Sequence, residues 1–308
     1  MPAAWLPAEP DLASVRARYA DPLRALANAE IPAIILRGVY AREACAGLLR
    51  RFQGWGLIRE PHTWKRRAQN SWSRRFQEWG GRRLRGWRLT RDPLVFSNAD
   101  HRRRIDIGTS LAQRGADKEA FLAHAAHTHE LFSVLFQGFA DPVETFYAAL
   151  SALANDKAVK TAREPDGRLY GPAIFRTHYA THSYIPHIDS VRYRENRTNY
   201  AVYRFTHQFA GILCLQNAKH GERSAQTIIH NCVWTPAIQS YLDNGTFPQY
   251  AQAHNIGQYR VDLAPGDLYF FNTLCIHEIP PLDGDNPRAV LAAFIGYSPD
   301  DPEIYVWS

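Results

Sequence analysis

His187 and Asp189 stand two residues apart in the run Pro186-His187-Ile188-Asp189, and His277 follows about ninety positions later. Two imidazoles and one carboxylate suit a non-haem Fe(II) centre, because three ligands on one face leave coordination positions open for substrate and oxygen. Arg288 comes eleven residues after His277, directly before the apolar run Ala289-Val290-Leu291-Ala292-Ala293. A guanidinium carried inward at the start of such a strand suits a co-substrate that bears a carboxylate. On a strand, His187 and Asp189 would point to the same face. On a loop just after one, both could still reach a single ion.

The elements around these residues change character along the chain. Ile31 to Leu36 predicts a strand and Ala41 to Phe52 a helix with Ala, Leu and Cys on its apolar side. Lys118 to Phe136 and Pro142 to Ala154 predict two more helices, the second with proline in its first turn. After that come short segments rich in β-branched and aromatic residues, separated by turn formers. These are Ala173 to Tyr179, Tyr200 to Phe205, Gly211 to Gln216, Ala225 to Ile229, Gln258 to Leu263, Asp267 to Phe271 and Ala289 to Tyr297. Helices first and strands afterwards predict a mainly β fold with supporting helices, a barrel or sandwich core. In it Pro265-Gly266-Asp267 would turn the chain, Leu268 to Phe271 would deliver His277, and Pro280-Pro281 would end regular structure.

The combination of His187-x-Asp189, Pro265-Gly266-Asp267, the distal His277 and Arg288 resembles the Fe(II)- and 2-oxoglutarate-dependent oxygenases. The resemblance covers roughly residues 170 to 297, and residues 30 to 52 resemble the strand and helix that open many members. It implies a double-stranded β-helix of the jelly-roll or cupin kind, with Fe(II) on His187, Asp189 and His277. Arg288 would bind the distal carboxylate of 2-oxoglutarate, and O₂ would be the oxidant. The stretch from Tyr184 through Gln216 is similar to a small-molecule branch holding carrier-independent halogenases and amino-acid hydroxylases. Halogenases of that type have Gly or Ala where the carboxylate ligand stands, which leaves room for chloride. Asp189 fills that position here, so the resemblance implies hydroxylation or a related oxidation of a small, anionic or zwitterionic metabolite.

Further polar residues lie on or beside the expected strands. Gln216, Thr227 and Tyr269 are candidates for the co-substrate pocket, and Gln208 for the substrate, although such residues commonly satisfy core hydrogen bonds. Arg192, Arg194 and Arg197 follow the metal motif closely and are candidates for a clamp on a substrate anion, against a plain charged loop surface. His178, His182, His207, His230 and His254 belong to no comparable ligand frame and read as structural.

The bulk properties narrow the remaining choices. The chain has 308 residues, 45% of them hydrophobic and 21% charged, enough for a sizeable core in one oxygenase domain. Within it we expect strand and helix support over 1–54, a basic tryptophan-rich insertion or flap over 55–110, helical support over 111–169 and the metal-binding β-core over 170–308. Four cysteines without paired metal-ligand spacing suit reduced thiols in the cytoplasm. No apolar run approaches the roughly 20 residues that span a bilayer. The net charge of +6 is concentrated between Arg59 and Arg104, where 14 Lys or Arg face 4 Asp or Glu. That segment could receive an acidic carrier protein, or single-stranded nucleic acid by phosphate attraction and stacking on its tryptophans. It carries no recognised nucleic-acid motif, and a free small molecule is the first expectation. A non-catalytic β-barrel ligand-binding protein is the alternative outside enzymes.

Overall fold

The computed structural model describes residues 5–58, 95–97, 104–284 and 286–308. Most of the basic segment, including Trp64, Trp72, Trp79 and Trp87, lies outside them. The strands are β1 (Ile34–Leu36), β2 (Val95–Ser97), β3 (Arg104–Ile107), β4 (Ala158–Thr161), β5 (Ile174–His178), β6 (Tyr184–His187), β7 (His207–Gln216) and β8 (Lys219–His220). They continue as β9 (Arg223–Ser224), β10 (Ile228–Val233), β11 (Gln258–Arg260), β12 (Leu268–Asn272), β13 (Cys275–Ile279), β14 (Arg288–Tyr297) and β15 (Glu303–Trp307). A nine-stranded sheet runs β1-β12-β7-β14-β5-β3-β2, with β15 on β14 and β4 on β15. A four-stranded sheet runs β11-β10-β13-β6. The site lies between these two sheets, antiparallel throughout except where β4 runs parallel to β15, a jelly-roll arrangement flanked by helices.

Period-two alternation sorts the large sheet's side chains into two layers. On β7, Phe209, Leu213 and Leu215 pack under the helices, whereas Ala210, Ile212 and Cys214 join the inner cluster. On β12, Leu268 and Phe270 face the helices and Tyr269 and Phe271 face inward. The helix Arg42–Gly54 buries Cys45, Leu48, Leu49 and Phe52. The helix Pro142–Leu153 starts where Asp141 accepts from the amides of Val143 and Glu144, with proline in the first turn. Its Phe146 is fully buried and meets Phe270 edge-on at 5.5 Å. That contact sits over Gly211, where any Cβ would come within 2.3 Å of the Phe146 ring. Burying one such ring stabilises the fold by about 1.5–3 kcal/mol.

The Pro265-Gly266-Asp267 turn stitches β1 to β12. Gly266 has φ +94, and a Cβ there would stand 2.1 Å from the carbonyl oxygen of Tyr40. Only glycine satisfies both conditions. Asp267 accepts from the amides of Gly38 and Ala264, each at 2.9 Å, and pairs with Arg37 at 2.9 Å.

Two expected strands differ. Tyr200 to Phe205 is not a strand: Ala201–Arg204 forms a short 3-10 helix. Val202 and Phe205, three apart, both bury in a cluster with Tyr200 and Trp307, which fits three residues per turn. The strand expected from Ala225 begins at Ile228, because β8 and β9 form a hairpin that ends at Ser224. The strands β4 and β15 and the helices Pro236–Asp243 and Phe247–Ala253 were not anticipated.

Candidate active site

His187 ends β6, His277 lies within β13, and the two are paired in register on the small sheet. Asp189 follows two residues beyond β6. Its backbone is pinned to the β12–β13 turn, with its amide donating to Thr273 O at 3.2 Å and its carbonyl accepting from Thr273 Oγ1 at 2.7 Å. Asp189 Oδ2 stands 3.4 Å from His277 Nε2 and 3.8 Å from His187 Nε2. One ligand atom from each residue falls within 4.8 Å of the other two. Ion–ligand bonds of about 2.0–2.2 Å put neighbouring ligand atoms roughly 3–3.5 Å apart, so the cluster fits one ion with little adjustment.

The remaining ring nitrogens fix the imidazoles. His187 Nδ1 donates to Ile185 O at 2.7 Å, and His277 Nδ1 donates to Cys275 O at 2.9 Å. Each Nε2 is therefore the lone-pair nitrogen that faces the cluster. Burial, reinforced by His277, pushes His187 down to about 4, which keeps it neutral near pH 7. Burial alone would raise the Asp189 carboxyl. In the acid range where the carboxyl itself titrates, the hydrogen bond from protonated His277, the charges of protonated His187 and His277, and Arg194 outweigh burial and hold the group below the usual carboxylate range.

A cavity of about 620 Å³ opens from these residues toward the large sheet. Its wall includes Arg288 and Thr227. Arg288 is buried; its Nε donates to Gln226 Oε1 at 2.8 Å and its Nη1 to His178 Nδ1 at 3.1 Å. Its buried Nη2 has no hydrogen-bond partner. Thr227 and Tyr269 hydroxyls meet at 2.6 Å in the same inner layer. A carboxylate at Arg288 would give that unpartnered nitrogen an acceptor, so the residues fit an oxo acid seated there.

Five of the expected pocket residues do not line the cavity, Tyr269 among them, which meets it only through Thr227. Gln216 does not line the cavity; its amide donates to Pro287 O at 2.9 Å. A bulge opposite Ala289 and Val290 pairs them with Gln216 and Cys214, so Leu215 is the extra residue and the side-chain alternation ends there. Gln208 accepts from the amide of Val191 at 2.9 Å and holds the 190s loop instead. Arg192 donates to Tyr203 O at 3.2 Å and covers the Tyr203 ring, and Arg197 faces Glu195 at 3.6 Å. Of the three arginines only Arg194 reaches the cavity, where it bonds Asp189 Oδ1 at 2.9 Å. Residues outside the initial set also line it, notably Arg104, Arg176, His178 and Tyr184. Ile174, Arg176 and His178 share the inner face of β5, a spacing visible in the sequence. His230 pairs with Glu278 at 3.1 Å, outside the cavity.

A two-sheet antiparallel barrel with this cluster at its mouth defines a non-haem Fe(II)- and 2-oxoglutarate-dependent oxygenase. The chain belongs to the family described as the carrier-protein-independent halogenase WelO5, which matches residues 82–308. Similar solved structures include an N-substituted L-amino acid dioxygenase from Burkholderia ambifaria AMMD, at 17% identity over 68% of this chain and 88% of that one, with a TM-score of 0.43. The epimerase SnoN from nogalamycin biosynthesis, in complex with Fe3+, alpha ketoglutarate and nogalamycin RO, is 15% identical over 92% and 82%, with a TM-score of 0.44. EctD from S. alaskensis, with 2-oxoglutarate and 5-hydroxyectoine, is 12% identical over 88% and 74%, with a TM-score of 0.43. No curated protein matches the chain. Among the described residues no helix is long and apolar enough to cross a membrane.

Proposed function

We propose that the protein hydroxylates an unactivated C–H bond of a small anionic or zwitterionic metabolite, with oxidative decarboxylation of 2-oxoglutarate. His187, Asp189 and His277 would hold Fe(II), and Arg288 would hold the distal carboxylate of the oxo acid. Bound iron, with the oxo acid and O₂, supplies the oxidant that removes hydrogen from carbon. The chain's own residues orient the reactants. Ile174, Ala210, Ile212, Val290 and Ala292 make an apolar wall, while Arg288 and Thr227 present donors to one end. Donors already fixed in the wall cost no reorganisation when the reaction occurs.

Asp189 carries the choice between outcomes. Its carboxylate occupies the corner where a halide would have to bind, and Arg194 keeps it aimed there. Hydroxylation therefore fits better than halogen transfer, although the family description names a halogenase. A free metabolite fits better than a carrier-bound one, in keeping with the carrier-protein-independent family that the chain matches. Free thiols at Cys45, Cys214, Cys232 and Cys275 are in keeping with a reducing, cytoplasmic compartment.

The test is succinate formation by Fe(II)-loaded protein with 2-oxoglutarate and a metabolite library in chloride buffer. The expected product is one oxygen atom heavier than its substrate. A chlorine isotope pattern in the product, or no 2-oxoglutarate turnover at all, would refute the proposal.

A further inference from the structure

Four guanidinium groups face the cavity: Arg104, Arg176, Arg194 and Arg288. Arg194 is matched by Asp189 at 2.9 Å and Arg104 by Asp106 at 2.8 Å. Arg288 is reserved for the oxo acid by the reading above. Arg176 remains. Among the described residues it pairs with no carboxylate, and its buried Nε has no hydrogen-bond partner. Asp106 stands in register opposite Arg176 on β3, but its Oδ2 serves Arg104 and Gln113 and its Oδ1 has no hydrogen-bond partner, so it makes no bond to Arg176. The carboxylates that line the cavity are Asp189, which faces Arg194, Glu195, which faces Arg197, and Asp243, which accepts from Gln239. None pairs with Arg176, and a cation left in a partly enclosed wall invites an anion.

A second group on the same wall points the same way. The Tyr184 oxygen accepts from Arg104 Nη1 at 2.5 Å. Its other neighbour is His178 Nε2 at 3.4 Å. Arginine can only donate, so the Arg288 bond makes His178 Nδ1 the lone-pair nitrogen. Burial, then Arg288 and the other nearby charges, drives His178 well below its ordinary value, so it is neutral and Nε2 carries the proton. Both partners of the Tyr184 oxygen are thus donors, and its own proton has no acceptor in this network. The ring lies 5.7 Å from that of His187, beside the metal cluster. It lines the cavity with Arg176.

We propose that Arg176 and Tyr184 form a seat for a carboxylate of the primary substrate, next to the oxo-acid seat at Arg288 and divided from it by His178. This rests on the oxygenase reading and adds the chemical group by which the substrate is recognised. The guanidinium contributes the charge, which a carboxylate answers and an amide does not. The phenol contributes a neutral donor, which either would accept.

The test uses Fe(II)-loaded protein, 2-oxoglutarate and a panel of small carboxylic acids, each matched with its primary amide, with succinate as readout. Acids are expected to stimulate turnover, with KM at least tenfold below that of the matched amide, the effect of one charge-assisted bond. Arg176→Gln should raise the acid KM at least tenfold and bring acid and amide within about twofold of each other. The KM for 2-oxoglutarate should move less than twofold, which also reports an intact fold. Tyr184→Phe should raise both acid and amide KM a few-fold. Stimulation by uncharged members only, stimulation by no acid, or an Arg176→Gln effect on 2-oxoglutarate instead of the acid would overturn the seat alone. No 2-oxoglutarate turnover in the unaltered protein would refute the oxygenase reading and this proposal with it.

Discussion

Replacing Arg288 with Gln separates the co-substrate seat from the metal cluster, because the two lie on different sheets. Arg288 is buried, and a carboxylate beside it would be buried too. Removing one partner from a buried ion pair costs about 3–5 kcal/mol, since the remaining charge is stranded. At 1.4 kcal/mol per tenfold, the 2-oxoglutarate Kd should rise by about 10² to several times 10³. Titration of anaerobic Fe(II)-loaded protein measures this directly. Thermal unfolding gives a second readout. At a concentration 100 times the unaltered Kd, 2-oxoglutarate should stabilise the unaltered protein by about 2.7 kcal/mol. A variant weakened 10²-fold should gain only about 0.4 kcal/mol from the same concentration. Fe(II) affinity should change by less than about threefold, because His187, Asp189 and His277 are untouched. Retention of 2-oxoglutarate affinity within fivefold would refute the assignment, and parallel loss of iron would point to misfolding.

Chelation should abolish turnover and Fe(II) should restore it, while His277→Ala should remove the rise in unfolding temperature that Fe(II) gives the unaltered protein. Gly266→Ala should lower stability by roughly 3 kcal/mol or more, combining a positive-φ penalty with the clash on Tyr40 O; a denaturant midpoint within error of the unaltered protein would refute that. Cys45, Cys214 and Cys275 are buried, their thiols pushed up to about 11, 12 and 12, whereas Cys232 is half-buried and its thiol is raised as well, so alkylation of folded protein at pH 8 should reach Cys232 alone and slowly, and all four after denaturation. Hydrogen bonds from Lys160 and Arg204 lower Glu303 to about 2 from 4.5, so its contribution is present above pH 4.5 and lost as pH falls through about 2. The pairs are partly exposed, so Glu303→Gln should cost less than about 1 kcal/mol at pH 7, and the difference should shrink in urea titrations at pH 3.

The legible parts of the sequence were those whose constraint is local. Gly266 meets a steric demand that no other residue meets, and Asp267 completes the turn, so Pro-Gly-Asp marks the start of β12 without knowledge of the fold. His187 and Asp189 sit close enough in sequence to act together in any extended conformation. Arg288 stood out because a charged residue against a long apolar strand needs a partner. The helix at Arg42–Gly54 followed from its apolar stripe.

Residues that the cavity shares across strands were harder to read, for a definite physical reason. The large sheet is buried on both faces, by helices on one side and the small sheet on the other, so its strands lack the apolar-in, polar-out contrast that would mark the inner face. On β5, Phe175 packs under the helices while Arg176 and His178 turn to the cavity. Only the pairing of β5 with β3 and β14 reveals which phase is inward. That pairing sets Arg104, His178 and Arg288 side by side across three strands, and Asp106 opposite Arg176. Gln216 shows the same dependence with the opposite result: one bulge residue, set by the partner strand, turns a candidate ligand into a tether for Pro287. Register decides which polar groups meet, and register is a property of two strands at once. A single added residue in β5 before Arg176 should therefore do more harm than any one substitution on its inner face. It would point Arg176 and His178 toward the helices and leave Arg288 Nη1 without its His178 acceptor, whereas the same insertion in the turn at Asp300 would leave all three in place.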